Sequence, residues 1–184
     1  MIKLIVDSTC DLPEDILKSY DIRILSLHIS LADREFRDKR DITAEEVFSA
    51  MKNGIVPKTS QVSPADIADI FAEYCAKGND FIYLTFSSAM SGTFQTAKMI
   101  LTGFREKYPG VQMEVIDSKA GSTAIGLMAL QAARMIEKGY PFPAVAGQLE
   151  EMSNHIEHIF TIADIGWLIR AAESAGSRER SAPF

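Results

Sequence analysis

Two short runs of hydroxyl side chains stand out in this chain. The first hydroxyl run is Lys58-Thr59-Ser60-Gln61-Val62-Ser63-Pro64, and the second is Ser87-Ser88-Ala89-Met90-Ser91-Gly92-Thr93. Each lies beside Pro or Gly just before a helical pattern, where free backbone N–H groups and O–H donors converge, and such a place suits an oxyanion. Lys58 is the only cation in either run, which is too little positive charge for a polyphosphate. The expected ligand is therefore a single carboxylate or a similar small anion.

Alternating strands and helices are predicted around both runs. Apolar segments predict strands at residues 2–6, 22–30, 81–86, 111–116 and 159–162, and helical patterns predict helices at 44–53, 64–77, 93–107, 122–138 and 143–157. Residues 32–40 are expected to form an exposed turn or hairpin, and residues 59–61 a polar loop. Strand–helix alternation at this spacing predicts an α/β fold with a mostly parallel sheet flanked by helices.

Polar side chains follow three of the predicted strands. Asp7-Ser8-Thr9 comes after the first strand, Ser87-Ser88 after the third, and Asp117-Ser118 after the fourth. Ligands bind parallel sheets beyond the carboxyl ends of the strands, so these loops are expected to share one edge. We expect Asp7 and Asp117 to accept backbone N–H bonds and hold the hydroxyl loops in place, with Mg²⁺ coordination by the two acids as an alternative.

A single Ser or Thr before a helix is usually a cap, and this is the expectation for Ser63 and Ser122. The second hydroxyl run is different, because a helix needs one cap and this run carries several hydroxyls. Gly92 adds to the case for a ligand, since glycine lets a ligand approach the backbone closely.

A serine nucleophile is an alternative use of the second run. The G-x-S-x-G elbow is absent, and Ser91 would need a base. The histidines, His28, His155 and His158, are expected to be structural, surface or cap residues. A small hydrolase or transferase using Ser91 with Asp7 or Asp117 stays open as an alternative, as does a binding module for another small carboxylate or phosphate.

Composition narrows the classes of function further. The chain has 184 residues, is 47% hydrophobic and carries a formal net charge of −6, and it shows no basic patch for nucleic acid. No apolar run approaches the roughly 20 residues needed to span a bilayer. Two cysteines make neither a disulfide framework nor a metal site. We therefore expect a reduced, cytoplasmic protein without a bound metal.

Four motifs together resemble the DegV family in their order and spacing. They are Val6-Asp7-Ser8-Thr9-Cys10-Asp11-Leu12, Lys58-Thr59-Ser60-Gln61 with Ser63-Pro64, Ser87 through Gln95, and Val115-Ile116-Asp117-Ser118. The resemblance covers about residues 1–170. These proteins are similar to the fatty-acid-binding subunits of bacterial fatty acid kinase.

The resemblance implies a protein that is not itself an enzyme. It would bind a long-chain fatty acid and present the carboxylate to a separate ATP-dependent kinase, which makes acyl phosphate for phospholipid synthesis. No cofactor besides the bound fatty acid is implied. Thr59 and Ser91 are the implied carboxylate ligands. The implied neighbours are Ser60, Ser88, Gly92 and Thr93, and the implied supporting residues are Asp7, Ser8, Asp117 and Ser118.

The end of the chain departs from the family pattern. Family members are usually longer, with a second domain that supplies much of the acyl pocket. We expect a first domain over residues 1–157, the start of a second domain over 158–170, and a disordered tail over 171–184, which has no large apolar residue before Phe184. The loss of motif and hydrophobicity after Arg170 predicts truncation, by a shifted reading frame or a shortened gene, and an incomplete acyl tunnel.

Overall fold

The computed structural model describes residues 1–159, 161, 165, 166 and 169 of the chain. Its strands are β1 (Ile2–Asp7), β2 (Ile22–Leu25), β3 (His28–Leu31), β4 (Arg34–Arg37), β5 (Lys58–Ser60), β6 (Asp80–Thr85) and β7 (Met113–Asp117). Its helices are α1 (Glu14–Ser19), α2 (Ala44–Lys52), α3 (Pro64–Ala76), α4 (Thr93–Lys107), α5 (Thr123–Glu137) and α6 (Phe142–His155), and a 3-10 turn spans Ser8–Cys10.

The centre of the fold is a four-stranded parallel sheet in the order β2-β1-β6-β7. In its register Leu4 lies beside both Ile22 and Ile82, and Tyr83 lies beside Val115. Helices cover both faces, so the strands are apolar almost throughout, as is typical of buried parallel sheets. The prediction of an α/β fold with a mostly parallel sheet flanked by helices is confirmed.

Alternate residues of the central strands serve two separate cores. Leu4 and Ile82 face α5 and α6, whereas Ile5 and Tyr83 face α3 and α4. Phe71 of α3 is fully buried in the second core, where its ring meets those of its aromatic neighbours. Burying one such large side chain contributes about 1.5–3 kcal/mol, so the two cores hold the strand ends at fixed positions.

The strand predicted over residues 22–30 is wrong in its extent. Two strands, β2 and β3, occupy this stretch and belong to different sheets. At the break, Leu27 N donates to Ser8 Oγ at 3.2 Å and Leu27 O accepts from Asp38 N at 2.9 Å. The backbone of Leu27 therefore leaves the parallel ladder, although the apolar pattern continues through it.

A small antiparallel sheet in the order β4-β3-β5 packs beside the main sheet. The turn or hairpin predicted over residues 32–40 is confirmed in part: the turn at Ala32 and Asp33 and the strand β4 lie there, whereas its partner strand β3 lies in the stretch predicted as the second strand. Lys58–Ser60, predicted as a loop, forms β5 instead and pairs with β3. All three residues of β5 are exposed and none is apolar, so the backbone pairing alone makes it a strand.

The starts of α2 and α3 follow the predicted capping signals. Thr43 and Glu46 form a capping box at α2, with Thr43 Oγ1 accepting from Glu46 N at 3.3 Å. Ser63 caps α3 by accepting from Ala65 N at 3.2 Å, which confirms its predicted role. Such a cap contributes about 1 kcal/mol.

No helix in the part of the chain that the structure describes is long and apolar enough to cross a membrane. Ile159 and Thr161 belong to no strand, and the other residues of the strand predicted at 159–162 lie outside the described residues. The tail predicted over 171–184 also lies outside them. The domain boundaries at residues 157 and 170 stay predictions.

Candidate functional site

A groove of about 1250 Å³ runs along the carboxyl edge of the parallel sheet. The loop after β1 supplies Ser8 and Thr9, the loop after β6 supplies Ser87, and the loop after β7 supplies Gly121 and Ser122. The prediction that these three strand-end loops share one edge is therefore confirmed. Ligands of α/β proteins bind at this edge.

The walls of the groove combine large apolar side chains with a polar rim. Phe86, Met90, Leu127 and Ile156 line it, and Met90 and Leu127 are 75% and 58% exposed. An open patch of this kind, with polar groups at its border, is typical of a binding surface. The groove can take the apolar part of an amphipathic ligand.

Asp7, at the end of β1, fixes the backbone just before the second hydroxyl run. Its carboxylate is fully buried, where Oδ2 accepts from Phe86 N at 2.6 Å and Oδ1 accepts from the Tyr83 hydroxyl. Burial raises the pKa of Asp7 to about 6, and the two hydrogen bonds only partly oppose that effect. This carboxyl is a structural acceptor with no exposed edge for a ligand.

Asp117 braces the same run from the neighbouring strand. Its Oδ1 accepts from Ser88 N and from Lys119 N, both at 3.0 Å, and its Oδ2 accepts from the Ser88 hydroxyl. The Ser88 hydroxyl donates to Asp117, so Ser88 serves the loop in this structure.

Two further supporting serines are buried. Ser8 Oγ accepts from Leu27 N at 3.2 Å and thereby joins the loop after β1 to the break between β2 and β3. Ser118 Oγ lies 3.1 Å from Ala120 N and 3.2 Å from Ala120 O, closing the turn after β7. Both hydroxyls shape loops that border the groove.

Ser91 and Thr93 form a hydroxyl pair at the start of α4. Their oxygens are 2.9 Å apart, and Thr93 N donates to Ser91 Oγ at 3.2 Å. Thr93 is fully buried and its Oγ1 accepts from Val62 N at 3.3 Å. A buried hydroxyl proton needs an acceptor, and Ser91 Oγ is within reach. With Thr93 as donor, the hydroxyl proton of Ser91 is free for a ligand.

The two hydroxyl runs meet directly. Besides the bond from Val62 N to Thr93, Gln61 Nε2 donates to Thr96 Oγ1 at 3.2 Å. A Cβ on Gly92 would overlap Gln61 Oε1, so the Gln61 amide lies against the backbone of the second run. The sequence pattern predicts a polar loop at residues 59–61 and gives neither Gln61 nor Thr96 a role at the site. The one sequence feature that could have pointed to this contact is the glutamine that directly follows the hydroxyls of the first run.

Thr59 and Ser60 lie on opposite faces of β5. Thr59 is paired with Ile29 and Ser60 with His28, and successive strand side chains point to opposite sides. Both residues are exposed. The walls of the groove include neither the two implied carboxylate ligands nor their four implied neighbours, all of which lie in the described part of the chain. Their cluster borders the groove through Ser87 and Met90.

Ser122 does not act as the predicted helix cap. It has φ 54° and its hydroxyl donates to Asp11 Oδ2 at 2.7 Å, so no side-chain cap bond forms at α5. The positive φ turns the Ser122 side chain away from the first turn of the helix, which is why the sequence-based expectation is wrong.

In the part of the chain that the structure describes, none of the three histidines is hydrogen-bonded to Ser91. His158 Nε2 accepts from Gly121 N at 3.3 Å, and His155 Nδ1 lies 2.8 Å from Glu151 O. His28 Nε2 is buried, with no hydrogen-bond partner among the described residues. Ser91 is paired with Thr93, an arrangement without the base that a serine nucleophile needs. Within the described ranges, no group of three or more His, Cys, Asp or Glu side chains could hold a metal ion.

A parallel sheet flanked by helices, with a groove and hydroxyl loops at its carboxyl edge, places the chain in the α/β class, with its candidate ligand site at that edge. The family model described as "Uncharacterised protein, DegV family" matches residues 1–172, and the chain belongs to the DegV family. The resemblance given by the four motifs is thus confirmed.

Relatives and solved structures agree with this assignment. A DegV domain-containing protein of Clostridium perfringens is 32% identical over 169 residues, which are 91% of this chain and 58% of that protein. A DegV family protein from Thermus thermophilus, described by its fatty acid binding, has a TM-score of 0.79 at 32% identity, over 92% of this chain and 59% of that one. A stearic acid-binding protein from Eubacterium ventriosum has a TM-score of 0.76 at 31% identity, over 82% and 52%. The chain thus spans less than two thirds of each relative's length.

Proposed function

We propose that this chain binds a long-chain fatty acid, with the carboxylate at the junction of the two hydroxyl runs and the acyl chain along the groove. The observation that carries the proposal is the hydrogen-bonded meeting of both runs beside an apolar groove at the carboxyl edge of the sheet. The similar proteins from Thermus thermophilus and Eubacterium ventriosum, which bind fatty acids, support the same ligand class.

In this proposal Ser91 is the principal carboxylate donor. The Ser91 and Thr93 hydroxyl oxygens are 2.9 Å apart, and with Thr93 as the donor of this pair the Ser91 hydroxyl proton is left for the ligand. A hydrogen bond to an ionised carboxylate is roughly twice as strong as a neutral one. The carboxylate lies near the start of α4, where backbone N–H groups favour an anion, and the room above Gly92 is taken by the Gln61 amide.

Thr59 is the proposed second donor, in preference to Ser60. Alternation along β5, carried one residue past its end, puts Thr59 on the side of Gln61, and Gln61 contacts Gly92. Ser60 then points to the other side of the sheet, toward His28. Ser88 and Thr93 support the site through Asp117 and Ser91 and do not contact the ligand in this proposal.

The acyl chain supplies most of the binding free energy. Each buried CH₂ group contributes about 0.8 kcal/mol, so a long chain along Phe86, Leu127 and Ile156 gains more than the carboxylate does. The carboxylate bonds then fix the direction in which the chain enters the groove.

The proposed role of the whole protein is to hold the carboxylate for a separate ATP-dependent kinase, which forms the acyl phosphate. The chain itself is proposed to be non-catalytic and cytoplasmic, with no cofactor besides its ligand. Ser91 and Thr59 orient a carboxylate oxygen as the acceptor of the phosphoryl group, and the kinase supplies the chemistry.

Organic extraction of the purified chain followed by mass spectrometry tests the proposal. Long-chain acids are expected from the wild-type chain and should fall strongly in Thr59→Ala and Ser91→Ala. Ser63→Ala, which removes a helix cap outside the junction, is the matched control and should retain the ligand. Recovery of no long-chain acid from wild-type protein, even after incubation with stearate, would contradict the proposal.

A further inference from the structure

We infer that Gln61 is a positioning residue, whose amide locks the two hydroxyl runs together and so sets the distance between Thr59 and Ser91. The inference deepens the proposed function and rests on it for its effect on the ligand. The locking itself is a property of the chain and can be measured without any ligand.

The lock consists of two contacts on one face of α4. Thr93 and Thr96 are one turn apart, and residues three apart lie on the same side of a helix. Thr93 Oγ1 accepts from Val62 N at 3.3 Å, and Thr96 Oγ1 accepts from Gln61 Nε2 at 3.2 Å. The side chain of Gln61 and the backbone N–H of Val62, which follow β5, are thus both fixed to the start of α4.

Gly92 is the third part of the lock, because the side-chain amide of Gln61 packs against its backbone. Gly92 has φ −74°, a value that alanine adopts freely, so backbone conformation does not require glycine here. What matters is space, because an added Cβ would overlap Gln61 Oε1, the end of a flexible side chain, so alanine fits here only if the amide moves from its present contacts. Gln61 and Gly92 are therefore a matched pair in which the larger side chain fills the room left by the missing one.

The pairing predicts a specific pattern in a double-mutant cycle. Gly92→Ala pushes the Gln61 amide away from Thr96, whereas Gln61→Ala removes the amide and leaves room for the methyl group. Each single change should weaken stearate binding by about five- to tenfold, the loss expected when the ordering from one or two hydrogen bonds is removed. In the double variant the effects should be strongly non-additive, and Gly92→Ala should cost less than about twofold once Gln61 is alanine.

Two further readouts separate positioning from general damage. Thr96→Val should mimic Gln61→Ala in stearate binding, and Thr96→Ser should restore it because the hydroxyl returns. Hydrogen exchange at the Val62 amide should accelerate about tenfold in Gln61→Ala and Gly92→Ala at unchanged protection of the β6 amides. Gln95→Ala, an exposed glutamine on α4, is the matched control and should change neither quantity.

Additive effects in the double variant, or Val62 protection unchanged by Gln61→Ala, would overturn the inference. If wild-type protein does not bind stearate, the proposed function fails, and the exchange rates at Val62 still decide whether the lock exists. If stearate binds with equal affinity in Gln61→Ala, the proposed function stands and the positioning role of Gln61 is refuted.

Discussion

The two hydroxyl runs of this chain are held in place in different ways. The second run follows a central strand and is braced by two acids, since Asp7 accepts from Phe86 N and Asp117 accepts from Ser88 N. The first run begins on β5, a three-residue exposed strand at the edge of a small sheet, and reaches the core only at Val62. Two buried or half-buried acids fix the second run, whereas the exposed start of the first run takes its position from pairing with β3 and from the contacts of Gln61 and Val62 with α4. A ligand held by both runs therefore depends on the firmly held second run and on the first run, whose position depends on its contacts with the second.

The strongest way to break this comparison is to remove the buried brace. Asp7→Ala leaves Phe86 N and the Tyr83 hydroxyl without their acceptor in a buried place, and we expect a loss of about 3 kcal/mol in the free energy of unfolding. Urea denaturation measures it. Asp15→Ala, an exposed acid on α1, is the control and should change the stability by less than about 0.5 kcal/mol. Equal effects of the two changes would show that Asp7 is not a brace.

Measuring the free energy of unfolding of the wild-type chain and of Asp7→Asn across a pH series tests the burial of the Asp7 carboxyl. The pKa of Asp7 is about 6 in the folded chain against an ordinary value of 3.8, so the folded state binds the proton more tightly than the unfolded state. The stability from this group is full below pH about 4 and is lost as the pH rises through about 6. Asparagine carries no such proton, so the stability of the wild-type chain relative to Asp7→Asn should fall by about 3 kcal/mol over that window. A difference that stays constant with pH would contradict the raised pKa.

The hydroxyl pair at the start of α4 gives a smaller effect. Thr93→Val removes the acceptor of Val62 N and the hydroxyl partner of Ser91, and we expect about 1–2 kcal/mol of lost stability with weaker stearate binding. Thr93→Ser keeps the hydroxyl and should restore most of the binding. Chemical denaturation and fluorescence titration of both variants measure the two quantities. Binding that survives in Thr93→Val would show that Thr93 does not orient Ser91.

The smallest expected effect separates the two faces of β5. Thr59→Ala should weaken stearate binding about tenfold, whereas Ser60→Ala should weaken it less than about twofold, because only one of two successive strand residues can face the junction. Competition titration with a fluorescent fatty acid measures both. A larger loss in Ser60→Ala would reverse the assignment of faces.

Much of the fold was predictable from local signals. The bounds of α4 and the caps at Thr43 and Ser63 follow from residue types alone, because each local preference agrees with the tertiary structure. β5 was not predictable, since a polar segment of three residues becomes a strand only by pairing with β3. The break at Leu27 was also hidden, because the apolar pattern continues while the hydrogen bonds change partners.

The candidate site shows the same division. The hydroxyls of both runs and the acids at the strand ends could be found from their types and from the four motifs. Their partners could not, since the contacts of Gln61 with Thr96 and with Gly92 join segments about thirty residues apart. Ser122 shows that a local signal can also mislead. Its position before α5 predicts a helix cap, but its positive φ directs the hydroxyl to Asp11 instead.

The most direct test of the central claim is nuclear magnetic resonance of stearate labelled at its carboxyl carbon and bound to the full chain. The account predicts a single bound carboxyl resonance, displaced from that of free stearate, which moves back toward the free value in Ser91→Ala and in Thr59→Ala but not in Ser63→Ala. A bound resonance that is identical in the wild-type chain, Ser91→Ala and Thr59→Ala would contradict the account, because the carboxylate would then lie away from both hydroxyl runs.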